Sequence, residues 1–206
     1  MTKIRICGLT RPEDVELANK LKPDAVGFVF IHGNSRYIDQ KTAIALKNQL
    51  DPGIQVVGIF ENERPMIVTN LLRMGIIDAV QFSGSETEDD ILNLRRQFNC
   101  PVYQVFRVES PKDALMSEWS VADLVLLRIR KGAEESLPWN LAKFSRRPFI
   151  LAGDLSPDTI TEAMAECHPF AVDLGTGIRN ENGIDPEMTT ETVMRIRKFD
   201  EEAAAK

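Results

Sequence analysis

The chain has 206 residues, 43% hydrophobic and 27% charged, with a formal net charge of −6. That length suits one domain spanning 1–206 around a single core, since domains up to about 250 residues need not split. The acidic balance argues against a general nucleic-acid or anionic-membrane surface, which needs excess Lys and Arg, and no apolar run is long enough to span a bilayer. The opening "MTKIRICGLT" lacks the basic region, apolar segment and small-residue cleavage site of a secretory signal, so a cytoplasmic protein is expected. Cys7, Cys100 and Cys167 are odd in number and far apart, and His32 and His168 are the only histidines. Neither a disulfide framework nor a metal site is expected.

In chain order, short runs rich in Val, Ile and Phe alternate with longer amphipathic segments. The first candidate strand is "KIRIC", Lys3 to Cys7, followed by "TRPEDVELANKL", a helix with Thr10 as its expected cap. "DAVGFVF" (Asp24 to Phe30) leads to the helical "DQKTAIALKNQL", and "IQVVGIF" (Ile54 to Phe60) to "ERPMIVTNLLRMG". "DAVQF" (Asp78 to Phe82) precedes "ETEDDILNLRRQF", and "PVYQVFRV" (Pro101 to Val108) precedes a short segment from Pro111 to Glu118. "ADLVLLR" (Ala122 to Arg128) is followed by another short segment, Trp139 to Phe144. "PFILAG" (Pro148 to Gly153) leads to "SPDTITEAMAEC", and "FAVDLG" (Phe170 to Gly175) to the last helix, "DPEMTTETVMRIRKFDEE". Eight strands apolar on both faces, each followed by a helical segment, predict an α/β fold: a single (β/α)8 TIM barrel, with a doubly wound open sheet as the alternative.

A barrel places its chemistry at the C-terminal ends of its strands. The candidates there are Cys7, the loop from Ile31 to Tyr37, Glu61 and Asn62, Ser83, Arg107, Arg128, Asp154 and the "DLGTGIRNENG" segment. Cys7 lies close to a helix start, which suits a base or nucleophile, while a thiol packed as a small hydrophobe is the alternative. Arg36 could clamp a carboxylate or phosphate, or stand as an exposed loop arginine. His32 in the same loop reads as solvent-exposed, and Cys100 and Cys167 as structural. The loops "LAGDLSPDTI" and "VDLGTGIRNENG" are rich in small residues, the composition that offers backbone N–H groups to a phosphate, although Asp154 would repel one at short range.

The motifs "KIRICGLTRPEDVELA", "DAVGFVF", "SRYI", "VVGIFEN", "DAVQFSG", "ADLVLL", "LPWN", "ILAGDLSPD" and "VDLGTGIRNENGIDP" resemble, in order and from Lys3 to Phe199, the phosphoribosylanthranilate isomerase family. The resemblance implies a tryptophan-biosynthetic barrel that carries out an Amadori rearrangement of N-(5-phosphoribosyl)anthranilate without metal or organic cofactor. It implies Cys7 as general base. Arg36 matches the contact to the anthranilate carboxylate and Asp173 the aspartate of the eighth strand. Gly153, Gly175, Thr176 and Gly177 fall on the phosphate-binding loops. A small phosphorylated substrate is the expected partner, with no nucleic acid or membrane, in a monomer or homodimer.

The departures cluster at the strand ends. The family's general acid is an aspartate ending the sixth strand, where this chain has Arg128, and an arginine does not give up its proton near neutral pH. "RKGAEES" replaces a Gly-Gly-Thr-Gly loop, Asp154 replaces the second glycine after the seventh strand, and Ser83 replaces a histidine after the fourth. Arg128 and Asp154 are expected at adjacent strand ends, where they could pair. Three consequences follow. Asp154 supplies the acid while Arg128 binds phosphate or ring oxygen; or the barrel has lost this activity and takes another small anionic ligand; or Arg128 bends to solvent and the site is impaired. A histidine-pathway isomerase would call for an aspartate in place of Cys7.

Overall fold

Alternation of buried strands and one-sided helices produces the expected layers. The structure, a computed structural model, describes residues 1–129 and 138–205. Its strands are β1 (Lys3–Cys7), β2 (Ala25–Val29), β3 (Gln55–Phe60), β4 (Ala79–Phe82), β5 (Val102–Val108), β6 (Leu124–Ile129), β7 (Phe149–Ala152) and β8 (Ala171–Leu174). They pair in that order and close into a barrel. β4, β7 and β8 are buried at every residue, as strands covered on both faces must be. The helices are α1 (Pro12–Leu21), α2 (Gln40–Lys47), α3 (Pro65–Arg73), α4 (Glu88–Gln97), α5 (Pro111–Met116), α6 (Ile160–Cys167) and α7 (Pro186–Ala204).

Two local expectations are corrected, the cap of α1 and the end of β6, and a third is made specific. The cap of α1 is Arg11 rather than Thr10, because the buried Asp14 carboxylate reaches back to accept from both Thr10 N (2.9 Å) and Arg11 N (3.1 Å). The segment after β6 is a 3-10 helix, Trp139–Phe144. β6 continues through Ile129, so Arg128 lies within the strand rather than at its last residue.

Internal packing divides the chain into two compact units. The first, here the Cys7 unit, comprises Ile6–Val105 and Trp119–Val125. In it β2, β3, β4 and β5 run parallel, with Val29 opposite Ile59, Ile59 opposite Gln81, and Gln81 opposite Tyr103. Paired residues of a parallel sheet share a face, so these four side chains point the same way. That face is the inner one, because side chains of non-neighbouring strands meet on it. Cys7 of β1 packs with Ile59 of β3 above Gly27, and Tyr103 of β5 donates its hydroxyl to Gln55 of β3 at 3.2 Å.

The second, the Arg128 unit, comprises Met1–Arg5, Phe106–Glu118 and Leu126–Lys206. β7 and β8 pair in parallel with Ala152 opposite Asp173, and Lys3 N donates to Phe170 O at 3.1 Å. α7 begins at the Asp185 cap, whose carboxylate accepts from Glu187 N (3.0 Å) and Met188 N (2.9 Å). Near its other end Asp200 accepts from Thr2 N (2.6 Å) and Thr2 Oγ1 (2.8 Å), tying the last helix to the start of the chain.

Candidate active site

In the Cys7 unit the end of β1 is set by backbone. Gly8 N and Leu9 N both donate to Gly27 O, at 2.8 and 3.2 Å. Gly8 has φ +83°, a left-handed turn that favours glycine and swings the chain away immediately after the thiol. A Cβ on Gly27 would lie 3.1 Å from Cys7 Sγ and 3.0 Å from Ile59 Cδ1, so the missing side chain at position 27 is what makes room for the thiol. Cys7 is 6% exposed, a thiol in no disulfide on the inner face, clustered with Val29 and Ile59 and flanked by half-buried Ile31.

The loop after β2 is built by Asn34. Its side chain accepts from Arg36 N at 2.9 Å, its carbonyl accepts from Tyr37 N at 3.0 Å, and Ile38 N returns to Val29 O at 3.0 Å. Arg36 is half-buried on this scaffold, and among the described residues none engages its guanidinium. A charged fork held at its base and unengaged at its tip suits a carboxylate or phosphate. His32 is exposed as expected, with its ring 4.6 Å from that of Tyr37 and Nε2 3.9 Å from Glu63 Oε2.

At the end of β3, Asn62 adopts φ +53° and its side chain accepts from Ser85 N (2.9 Å) and Ser85 Oγ (2.8 Å), bracing the loop after β4. Ser83 N donates to Phe60 O at 2.9 Å, and its hydroxyl accepts from Gln81 Nε2 at 3.1 Å. Gln81 is fully buried, and no described residue donates to its Oε1. Leaving a buried acceptor unmet costs about 1–3 kcal/mol, so this residue sits where packing alone would favour leucine or methionine.

In the Arg128 unit the strand ends carry charge. Arg128 is half-buried within β6, and the following "RKGAEES" lies outside the described residues. Gly153 follows β7 under tight constraint: a Cβ there would stand 2.6 Å from Ile129 O and 3.1 Å from the Trp139 ring. Asp154 is exposed and takes part in no ion pair among the described residues, so the pair with Arg128 expected from adjacent strand ends is not made. Its carbonyl instead accepts from Thr159 Oγ1 at 2.7 Å, and that hydroxyl accepts from Ser156 N at 2.9 Å. Gly175 is buried, Thr176 exposed and Gly177 buried. A Cβ at Gly177 would run into the Leu155 carbonyl, so the loops after β7 and β8 lie backbone against backbone.

Asp173 is held deep in β8 by a residue the sequence pattern did not single out. Arg5 Nε donates to Asp173 Oδ1 at 2.6 Å, with the two side chains 4% and 6% exposed. The available signal was a cation inside a strand otherwise buried after its first residue, and Gln81 inside "DAVQF" is the same kind of signal. Cys167 donates to Ala163 O at 3.0 Å, and burial pushes its thiol up to about 12, while burial also raises Cys100. A thiol so shifted stays protonated and plays the packing part expected of it.

Known proteins share this barrel. The family model for N-(5'phosphoribosyl)anthranilate (PRA) isomerase matches residues 4–194. The N-(5'-phosphoribosyl)anthranilate isomerase of Endomicrobium trichonymphae is 39% identical over 204 residues, covering 97% of this chain and 100% of that one. The enzyme of the same name from Lactiplantibacillus plantarum is 37% identical over 96% of this chain and 93% of its own length. The crystal structure of phosphoribosyl anthranilate isomerase from Thermotoga maritima superposes with TM-score 0.86 at 26% identity, covering 96% of this chain and 100% of that one. That from Thermus thermophilus gives 0.84 at 30% identity, covering 96% and 99%. Family model, near end-to-end relatives and superposed barrels agree, and the chain belongs to the N-(5'-phosphoribosyl)anthranilate isomerase family.

Proposed function

We propose that this chain catalyses the ring-opening isomerisation of N-(5'-phosphoribosyl)anthranilate to the 1-deoxyribulose phosphate product, with Cys7 as general base. The observation that carries the reading is the Cys7 thiol, held on the inner face by the Gly8 and Gly27 backbone in a chain whose relatives bear this activity along their whole length. The chemistry has two halves. A proton delivered to the furanose oxygen breaks the C1'–O bond and leaves an iminium between C1' and the anthranilate nitrogen. Removal of the C2' proton by Cys7 then gives an enolamine, which tautomerises to the ketone.

Arg36 takes the anthranilate carboxylate in this reading, and the backbone of Gly153, Gly175, Thr176 and Gly177 takes the phosphate. Asp173, held by Arg5, orients the sugar from β8. Arg128 cannot deliver the first proton but can donate a hydrogen bond to the developing ring alkoxide. Asp154, on the loop after the neighbouring strand, is assigned the proton itself. Binding as a monomer or homodimer is retained, and the Thermotoga maritima relative has been described as dimeric.

The test follows the loss of substrate fluorescence with wild type, Cys7→Ala, Asp154→Asn and Arg128→Asp. Turnover in wild type that disappears in Cys7→Ala and falls in Asp154→Asn supports the assignment. Arg128 itself favours a second reading, in which the barrel serves another small anionic ligand. Absence of turnover in wild type together with its appearance in Arg128→Asp would establish that one instead.

A further inference from the structure

We propose that Ser83 is a substrate-contacting hydroxyl and that Gln81 is the residue that positions it, the two selecting an oxygen of the sugar. The inference rests on the isomerase reading above and adds to it a specificity element at the end of β4. The Ser83 main chain is fixed by its N–H donating to Phe60 O at 2.9 Å. Its hydroxyl accepts from Gln81 Nε2 at 3.1 Å. A hydroxyl has one proton to give and two lone pairs. With one lone pair occupied from below, the Ser83 proton is left to donate outward.

Gln81 lies on the inner face of β4, the face on which Ile59 packs with Cys7, and Ser83 directly follows the strand with its hydroxyl on the Gln81 amide. Ser83 is half-buried and therefore reachable, whereas Gln81 is fully buried and reaches a ligand only through Ser83. The second observation is the amide's other end. Among the described residues nothing donates to Gln81 Oε1, although the side chain is entirely enclosed. A wholly apolar side chain would fill the place without that penalty, and its retention is explained if the amide is kept for what it does to Ser83. The ligand group this arrangement recognises is an acceptor oxygen, a hydroxyl or ether of a pentose, rather than the phosphate, since a single neutral donor offers no charge to bind one.

The experiment uses the full chain with Ser83→Ala, Gln81→Leu, the double variant and Ser83→Thr. Calorimetry gives Kd for reduced 1-(o-carboxyphenylamino)-1-deoxyribulose 5-phosphate, the compound bound in the structure of a relative, and fluorescence gives kcat/KM. Ser83→Ala and Gln81→Leu are each expected to weaken both constants by about 5- to 10-fold, with the double variant no worse than either. Ser83→Thr, which keeps the hydroxyl, is expected to stay within about 2-fold of wild type. The melting temperature of Gln81→Leu should equal or exceed that of wild type, which separates lost positioning from lost fold. Unchanged constants, or losses that multiply in the double variant, overturn the inference while leaving the isomerase reading in place. A wild type that neither binds this compound nor turns over substrate overturns both.

Discussion

In the Cys7 unit the residue assigned as base is located by main chain: two N–H groups on one carbonyl, a left-handed glycine, and a glycine whose missing Cβ leaves room for sulfur. In the Arg128 unit the glycines are just as constrained, at Gly153 and Gly177, but the charged residues beside them are side chains on an otherwise conventional frame. The difference teaches which parts of such a barrel can be exchanged. A side chain at a strand end can change from acid to cation without disturbing a neighbour's backbone, whereas a side chain added at position 27, 153 or 177 cannot be accommodated without movement. The departures expected at Ser83, Arg128 and Asp154 are all of the first kind, side chains that can change above an unaltered backbone.

The largest expected effect tests the first side of this comparison. Cys7→Ala should lower kcat by about 10²- to 10⁴-fold with circular dichroism unchanged, because a general base is lost while its backbone frame is kept. Activity within 2-fold of wild type would remove the thiol from the mechanism. Next comes the buried pair of the other unit. Asp173→Asn leaves the Arg5 cation without its carboxylate and should cost about 3–5 kcal/mol in urea unfolding. A loss below 1 kcal/mol would mean that Arg5 is satisfied in some other way.

Arg36→Met should raise KM about 10- to 100-fold with a smaller change in kcat, as expected for a charged contact to a carboxylate. An unaltered KM would move the anthranilate group elsewhere. The smallest effect concerns acid stability. Met188 N, the first of its causes, holds the Asp185 carboxylate below its ordinary pKa. The folded-state value thus lies under the unfolded one, about 4, so the stabilisation is complete above that value and disappears as pH falls through the folded-state pKa. Asp185→Asn keeps a capping side chain without the titration, so the gap in unfolding free energy between wild type and variant, of about 1 kcal/mol or less, should shrink from pH 6 to pH 3. A gap independent of pH would show that the charge of Asp185 contributes nothing to α7.

Much of the barrel could be read in the chain, because parallel strands buried on both faces announce themselves as short apolar runs: all eight appear, "KIRIC" with the same bounds. The last residue of β6 was misplaced by one, since a cation looks like an end and Ile129 lies beyond it. Thr10 looked like a cap because its hydroxyl is the ordinary means; periodicity could not show that Asp14 does the work from inside the helix. Cys7, Arg36 and Asp173 were legible as positions but not in their surroundings. Nothing local to "VDLG" indicates that its aspartate meets Arg5, 168 residues away. Gln81 is legible in the sequence only as an amide that interrupts the apolar pattern of a strand. Its hydrogen bond and its unmet oxygen are properties of three dimensions.

The bond between Thr2 and Asp200 also has a meaning in time. A ribosome delivers residue 2 long before residue 200, and Lys3 must likewise wait for Phe170 before its N–H finds an acceptor. The first strand of the barrel therefore emerges with one edge unmatched and keeps it so until the eighth strand has been made.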